Sequence, residues 1–217
     1  MSDATAMHRP FTGKTLVIAT HNKGKVPEIA GLLDGRVPTL TTSGELGIKA
    51  PPETGTTFIE NATIKAVTTA KASGLPALAD DSGLAVDALD GAPGVYTADW
   101  AECDRDGQAL PERDWVLAMT KVHEAMAASG RIENGASFIC ALALAWPDGH
   151  VEVVEGQCPG TITWPMRGDR GFGYDPIFTP RDHDQTFAEI DPTVKQAISH
   201  RADAFKKLRA ICFPAAK

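Results

Sequence analysis

The sequence predicts an α/β protein, a mixed sheet with flanking helices, and three stretches carry that prediction. Lys14-Thr15-Leu16-Val17-Ile18-Ala19-Thr20 is short, β-branched and apolar, the pattern of a buried strand, and a helical pattern follows it directly. Ala136 to Trp146 is a longer apolar run that turns at Pro147-Asp148-Gly149-His150. It returns as Val151-Glu152-Val153-Val154-Glu155-Gly156, which makes a β-hairpin. Pro111 to Ala128 sets Trp115, Val116, Met119, Val122 and Met126 at helical spacing, a stripe suited to a core or dimer contact. The chain has 217 residues, enough for one large domain or one domain of two lobes with a real core.

The N-terminus reads as a polar, frayed segment over residues 1–13, without the apolar core of a signal peptide. After the first strand comes His21-Asn22-Lys23-Gly24-Lys25, then Val26, Ile29, Ala30, Leu32 and Leu33 at helical spacing, with Pro27 in the first turn. A strand running through a doubly basic, Gly-containing loop into a helix suits phosphate binding, although an ordinary β–α connection has the same form. Gly13-Lys14-Thr15 is not a P-loop, because His8 stands where the first glycine is needed and the motif precedes the strand. Gly35 to Pro52 is turn-rich, with a short strand expected around Val37 to Thr41. Thr57 with Glu60 three residues on has capping-box spacing and opens a helix that ends at Ala70 to Gly74.

Leu75 to Leu78 forms the next strand, and Ala79-Asp80-Asp81-Ser82-Gly83-Leu84 follows as an acidic turn. Two adjacent carboxylates need a counter-charge. They suit either a Mg²⁺ site with a carboxylate left as general base, or the N-cap of a following helix. Gly91 to Tyr96 reads as a rigid loop, and Gly160 to Trp164 as a possible continuation of the sheet. Gly168 to Phe178 is a glycine-bounded aromatic–acid cluster, suited to stacking on a planar ligand or to a packed turn. Its glycines are in the wrong order for a dinucleotide fingerprint. Lys195 to Arg201 opens a last helix, with Ser199 as N-cap and His200 and Arg201 at its start. Cations there oppose the helix dipole, which an anionic or oxygen-rich ligand would offset.

The net charge of −7 argues against non-specific binding to nucleic acid or an anionic membrane, and no apolar stretch reaches spanning length. Cys103, Cys140, Cys158 and Cys212 are scattered without Cys-x-x-Cys spacing, as expected of reduced thiols in a cytoplasmic protein.

Taken together, the motifs resemble the inosine/xanthosine triphosphate pyrophosphatase family from Leu16 to Leu208. The phosphate-loop motif is Thr20-His21-Asn22-Lys23-Gly24-Lys25. A Glu-containing segment runs from Glu53 to Ala62, with Lys65 beyond it, and the acidic motif is Ala79 to Leu84. Base-binding motifs are Phe172-Gly173-Tyr174-Asp175, Lys195 and Ser199-His200-Arg201. The chain departs from many relatives after Gly94-Val95-Tyr96, with Asp99 where a basic residue is common.

The resemblance implies an elongated fold of two lobes around a deep nucleotide-binding cleft, a single two-lobed domain over 14–217, and usually a homodimer. It implies Mg²⁺-dependent hydrolysis of ITP, dITP and XTP to the monophosphate and pyrophosphate. Asp81 would be the catalytic base, with Asp81, Glu53 and Asp80 forming the metal environment. Substrate would be held by Thr20, His21, Asn22, Lys23, Gly24, Lys25, Lys65, Ser82, Phe172, Gly173, Tyr174, Asp175, Lys195, His200 and Arg201. A related enzyme for modified pyrimidines and a non-catalytic nucleotide sensor are the rival expectations.

Overall fold

A computed structural model describes residues 8–21 and 25–213. Its sheet has six strands: β1 (Thr15–Ile18), β2 (Thr39–Thr42), β3 (Ala77–Val86), β4 (Gly135–Ala145), β5 (Val151–Ile162) and β6 (Phe178–Pro180). Their order is β2-β1-β3-β4-β5-β6. β1 runs parallel to β2, with Thr15 opposite Thr39, and parallel to β3, with Val17 opposite Ala77. β5 and β6 are antiparallel, so the sheet is mixed as expected. Among the described residues six α-helices accompany it: α1 (Lys25–Leu33), α2 (Phe58–Ser73), α3 (Asp99–Glu102), α4 (Trp115–Ser129), α5 (Pro192–Ile198) and α6 (His200–Cys212). Among the described residues, no helix is long and apolar enough to cross a membrane.

The chain divides into two compact units. The first takes its described residues from Met1–Asp81, Ala141–Gly156 and Ala204–Lys217, the second from Ser82–Cys140 and Gln157–Asp203. In the first, Leu16, Val17, Ile18, Ile29, Leu33 and Leu78 are fully or almost fully buried, each contributing about 1.5–3 kcal/mol. α2 has the capping box its sequence promises: Thr57 accepts from the Glu60 N–H, and the Glu60 carboxylate returns to the Thr57 N–H. Gly74 ends the helix at φ 67°, the left-handed conformation glycine adopts without strain. Of the N-terminal segment expected over residues 1–13, residues 1–7 lie outside the described residues. His8, the Arg9 N–H and His150 all converge on the buried Glu152 carboxylate at 2.8 Å. Arg9 also reaches Asp148 at 2.6 Å, and the Phe11 N–H donates to the Cys212 carbonyl at 2.7 Å.

In the second unit, Leu84, Val86, Met119, Val122, Phe138 and Phe178 belong to one core cluster, with Trp115 and Met126 packed against it. The stripe on α4 is therefore core, while Val116 stays exposed. α4 begins at Trp115 and not Pro111, because the Asp114 carboxylate accepts from the Leu117 N–H at 2.9 Å and fixes the start there. Gly160 to Ile162 does extend β5 and pairs with β6.

Two expectations are corrected. Asp80-Asp81-Ser82-Gly83 is not a turn or a helix cap but the middle of β3, a ten-residue strand. Lys195 does not begin the last helix. It lies in α5, and Ser199 ends that helix and then caps α6, its hydroxyl accepting from the Ala202 N–H at 3.2 Å.

Candidate active site

Neighbouring residues of a strand point to opposite faces, which explains how β3 tolerates two adjacent buried acids. Each finds a lysine from a different helix. Asp80 pairs with Lys25 at the first residue of α1, and Asp81 Oδ1 lies 2.6 Å from Lys65 Nζ on α2. A cation at the start of α1 opposes the helix dipole, and the Asp80 carboxylate offsets it. Lys65 also reaches Glu53 Oε1 at 3.3 Å. The Glu53 loop is fixed by a residue to which the sequence assigned no role. Asn61, buried on α2, accepts from the Gly55 N–H at 2.8 Å. A Cβ at Gly55 would lie 2.7 Å from that same Asn61 oxygen, so the loop closes only on glycine. The available signal was a polar residue on the buried face of a helix, beside Phe58 and Ala62.

Burial pushes the Asp81 carboxyl up to about 6, reinforced by the nearby Glu53 charge and opposed by Lys65 and Lys25. Burial also works against the Lys65 ammonium, but Asp81, Glu53 and Asp80 more than offset it, so its pKa is raised. The pair is therefore an ammonium that stays protonated beside a carboxylate that can accept a proton near neutrality, as suits a general base. Among the described residues, no three His, Cys, Asp or Glu side chains gather at one metal position. Asp81 and Glu53 share Lys65, while Asp80 has Lys25. Oxygen-only donors of this kind suit Mg²⁺, which takes one or two carboxylates and completes its shell with water and phosphate oxygens.

Of the expected phosphate loop, Asn22, Lys23 and Gly24 lie outside the described residues. Thr20 follows β1, its carbonyl accepting from the Ser43 hydroxyl at 3.2 Å, and His21 is exposed.

In the second unit, Asp175 is buried and anchors the aromatic–acid loop. It accepts from the Phe172 N–H at 2.7 Å and from Lys195 Nζ at 2.5 Å. Lys195 Nζ also lies over the Phe172 ring, 5.0 Å from its centroid. Phe172 is 43% exposed, so its ring is available as a platform. Gly171 makes the approach possible: its φ is +75°, and a Cβ there would lie 2.0 Å from Asp175 Oδ2. Gly173 keeps the loop in the same left-handed region, with φ +66°. Tyr174 is almost fully buried, with its ring edge-on to Trp115 at 5.6 Å. His200 stacks on Phe138, and Arg201, only 3% exposed, donates to the Ser82 hydroxyl at 3.2 Å.

The Ham1 family model matches residues 16–211, which include every described site residue above. The chain belongs to the Ham1 family. A relative named dITP/XTP pyrophosphatase, from Rhodospirillum centenum, is 58% identical over 206 residues, covering 94% of this chain and 98% of that protein. Another of the same name, from Ruegeria pomeroyi, is 53% identical, covering 95% and 99%. A HAM1 protein from Coxiella burnetii superposes with a TM-score of 0.82 at 38% identity, covering 92% of this chain and 98% of that one. Within this Ham1 chain, Asp99 is the first residue of α3, where a carboxylate complements the helix dipole.

Proposed function

We propose that this chain is a Mg²⁺-dependent pyrophosphatase that hydrolyses dITP, ITP and XTP to the nucleoside monophosphate and pyrophosphate, removing deaminated purines from the nucleotide pool. The relatives named for dITP and XTP support the substrate class. The observation that carries the mechanism is the buried Asp81 carboxylate, 2.6 Å from Lys65, which also reaches Glu53.

Water attacks the α-phosphorus, Asp81 takes its proton, and the bond from that phosphorus to the α–β bridging oxygen breaks, releasing pyrophosphate. Asp81 and Glu53 would hold Mg²⁺, which when bound neutralises phosphate oxygens and the leaving group, while Asp80 contributes through Lys25. Among the described residues two lysines face three carboxylates: Lys25 on Asp80, and Lys65 on both Asp81 and Glu53. With a triphosphate bound, Lys25 and Lys65 would be placed to neutralise its phosphate oxygens, and Asp81 and Glu53 to hold the accompanying cation. Lys23 belongs to the same phosphate-binding set. Catalysis of this kind rests on positioning and charge stabilisation.

Phe172 serves as the platform for the base. Lys195, His200 and Arg201 are the donors for its edge, with Asp175 fixing Lys195. Hypoxanthine and xanthine carry an oxygen at position 6 where adenine carries an amino group, and an unsatisfied buried donor costs about 1–3 kcal/mol. Guanine has the same oxygen, so discrimination against GTP is weaker than against ATP. The absence of any disulfide among the four cysteines is in keeping with a reducing, cytoplasmic setting, and a homodimer is the proposed assembly. Pyrophosphate release from dITP, XTP, GTP and ATP, each with Mg²⁺ and with chelator, tests the proposal. Turnover of dITP and XTP should far exceed that of ATP and stop in chelator. Equal turnover of ATP would defeat the base reading, and full activity in chelator the metal reading.

A further inference from the structure

Thr97 follows the short Gly94–Tyr96 turn and joins three separate pieces of the second unit. Its hydroxyl donates to the Gly94 carbonyl at 2.6 Å and accepts from the Leu84 N–H at 3.0 Å. Its backbone carbonyl accepts from the Tyr174 hydroxyl at 3.1 Å. Tyr174 is two residues beyond Phe172, and Leu84 is two residues beyond Ser82, the partner of Arg201. Tyr174 is almost fully buried, with its hydroxyl committed as a donor to the Thr97 carbonyl.

We propose that Thr97 and Tyr174 are positioning residues for base recognition, with Thr97 as the shared anchor of the Phe172 platform and of the strand segment that holds Arg201. This rests on the base-recognition reading above. The loop carrying Phe172 is irregular, and an irregular loop presents a platform at a fixed height only when both flanks are pinned. Asp175 pins one side through the Phe172 N–H, and Tyr174 pins the other through Thr97.

The two arms can be cut separately. Tyr174→Phe removes only the hydroxyl that reaches the Thr97 carbonyl. Thr97→Val removes the hydroxyl that serves Leu84 and Gly94 but leaves the carbonyl in place. One buried hydrogen bond corresponds to a change of about 3- to 10-fold. Tyr174→Phe should raise KM for dITP by about that factor, with a smaller fall in kcat, the pattern of lost binding before the chemical step. Inhibition by inorganic triphosphate, which has no base, should stay within about twofold of wild type. Thr97→Val should also raise KM, and Thr97→Ser, which keeps the hydroxyl, should restore it.

Phe172→Ala separates this proposal from the reading beneath it. If Phe172→Ala raises the dITP KM while Tyr174→Phe and Thr97→Val leave it unchanged, the positioning role is overturned and the platform stands. Equal weakening of inorganic triphosphate by Tyr174→Phe would overturn the positioning role too, by showing general damage. No effect of Phe172→Ala on KM would overturn the platform itself.

Discussion

The proposed chemistry turns on single side chains whose burial conflicts with their charge. Asp81 is the clearest. As the proposed base it should lose about 10²–10⁴-fold in kcat on Asp81→Asn, with the fold retained; near-normal turnover by a folded variant would sink the assignment. Its raised pKa also fixes a stability trend. The carboxyl titrates near 3.8 when unfolded and at about 6 when folded, so its stabilising contribution is complete below 3.8 and lost as pH rises through 6. In metal-free protein, wild type should therefore lose stability relative to Asp81→Asn between about pH 4 and 7, by at most about 3 kcal/mol. Thermal melts of both proteins across that range check it. A trend of opposite sign would mean that Lys65 outweighs burial.

The elements matter because they present those side chains at fixed angles. α2 does this for Lys65, and its end is secured by the Thr57–Glu60 capping box. Thr57→Ala should cost about 1 kcal/mol, or about 2–4 °C in Tm for a chain of this size. Lys65 lies two turns beyond the cap, so kcat should remain within about twofold. A large fall in kcat with unchanged Tm would mean that the cap orients the site and does not merely stabilise the helix. This signal was legible locally, since Thr and Glu three apart before an apolar run specify their own geometry. The same locality made β3 hard to read. Asp-Asp-Ser-Gly has turn composition, and only pairing within the sheet, with a lysine for each acid, makes an extended conformation favourable there.

At the scale of the molecule, the Glu152 cluster ties the N-terminal segment to the hairpin, and a separate backbone bond from the Phe11 N–H ties it to the end of α6. Burial works to raise the Glu152 pKa, but bonds from His8, Arg9 and His150 win and hold it below 4.5. Its contribution is thus present above 4.5 and lost as pH falls through the lower folded value. Removing residues 1–13 should lower Tm at pH 7, by an amount that shrinks under acid conditions. An unchanged Tm would mean that the segment adds nothing.

By itself the sequence determined the strand–helix alternation, the hairpin, the capped α2, the amphipathic α4 and the order of the motifs that mark the family. All of these depend on periodicity, caps and turn chemistry acting over a few residues. Tertiary structure decided the rest. It made the acidic motif a strand, gave Asp80 and Asp81 separate lysines, put Lys195 against Asp175, and joined Arg201 to a serine 119 residues away. It also brought the Tyr174 hydroxyl to the Thr97 carbonyl, 77 residues away. The physical reason is that a buried charge or hydroxyl is satisfied by whichever partner the fold delivers, and for these groups the partner lies far away along the chain.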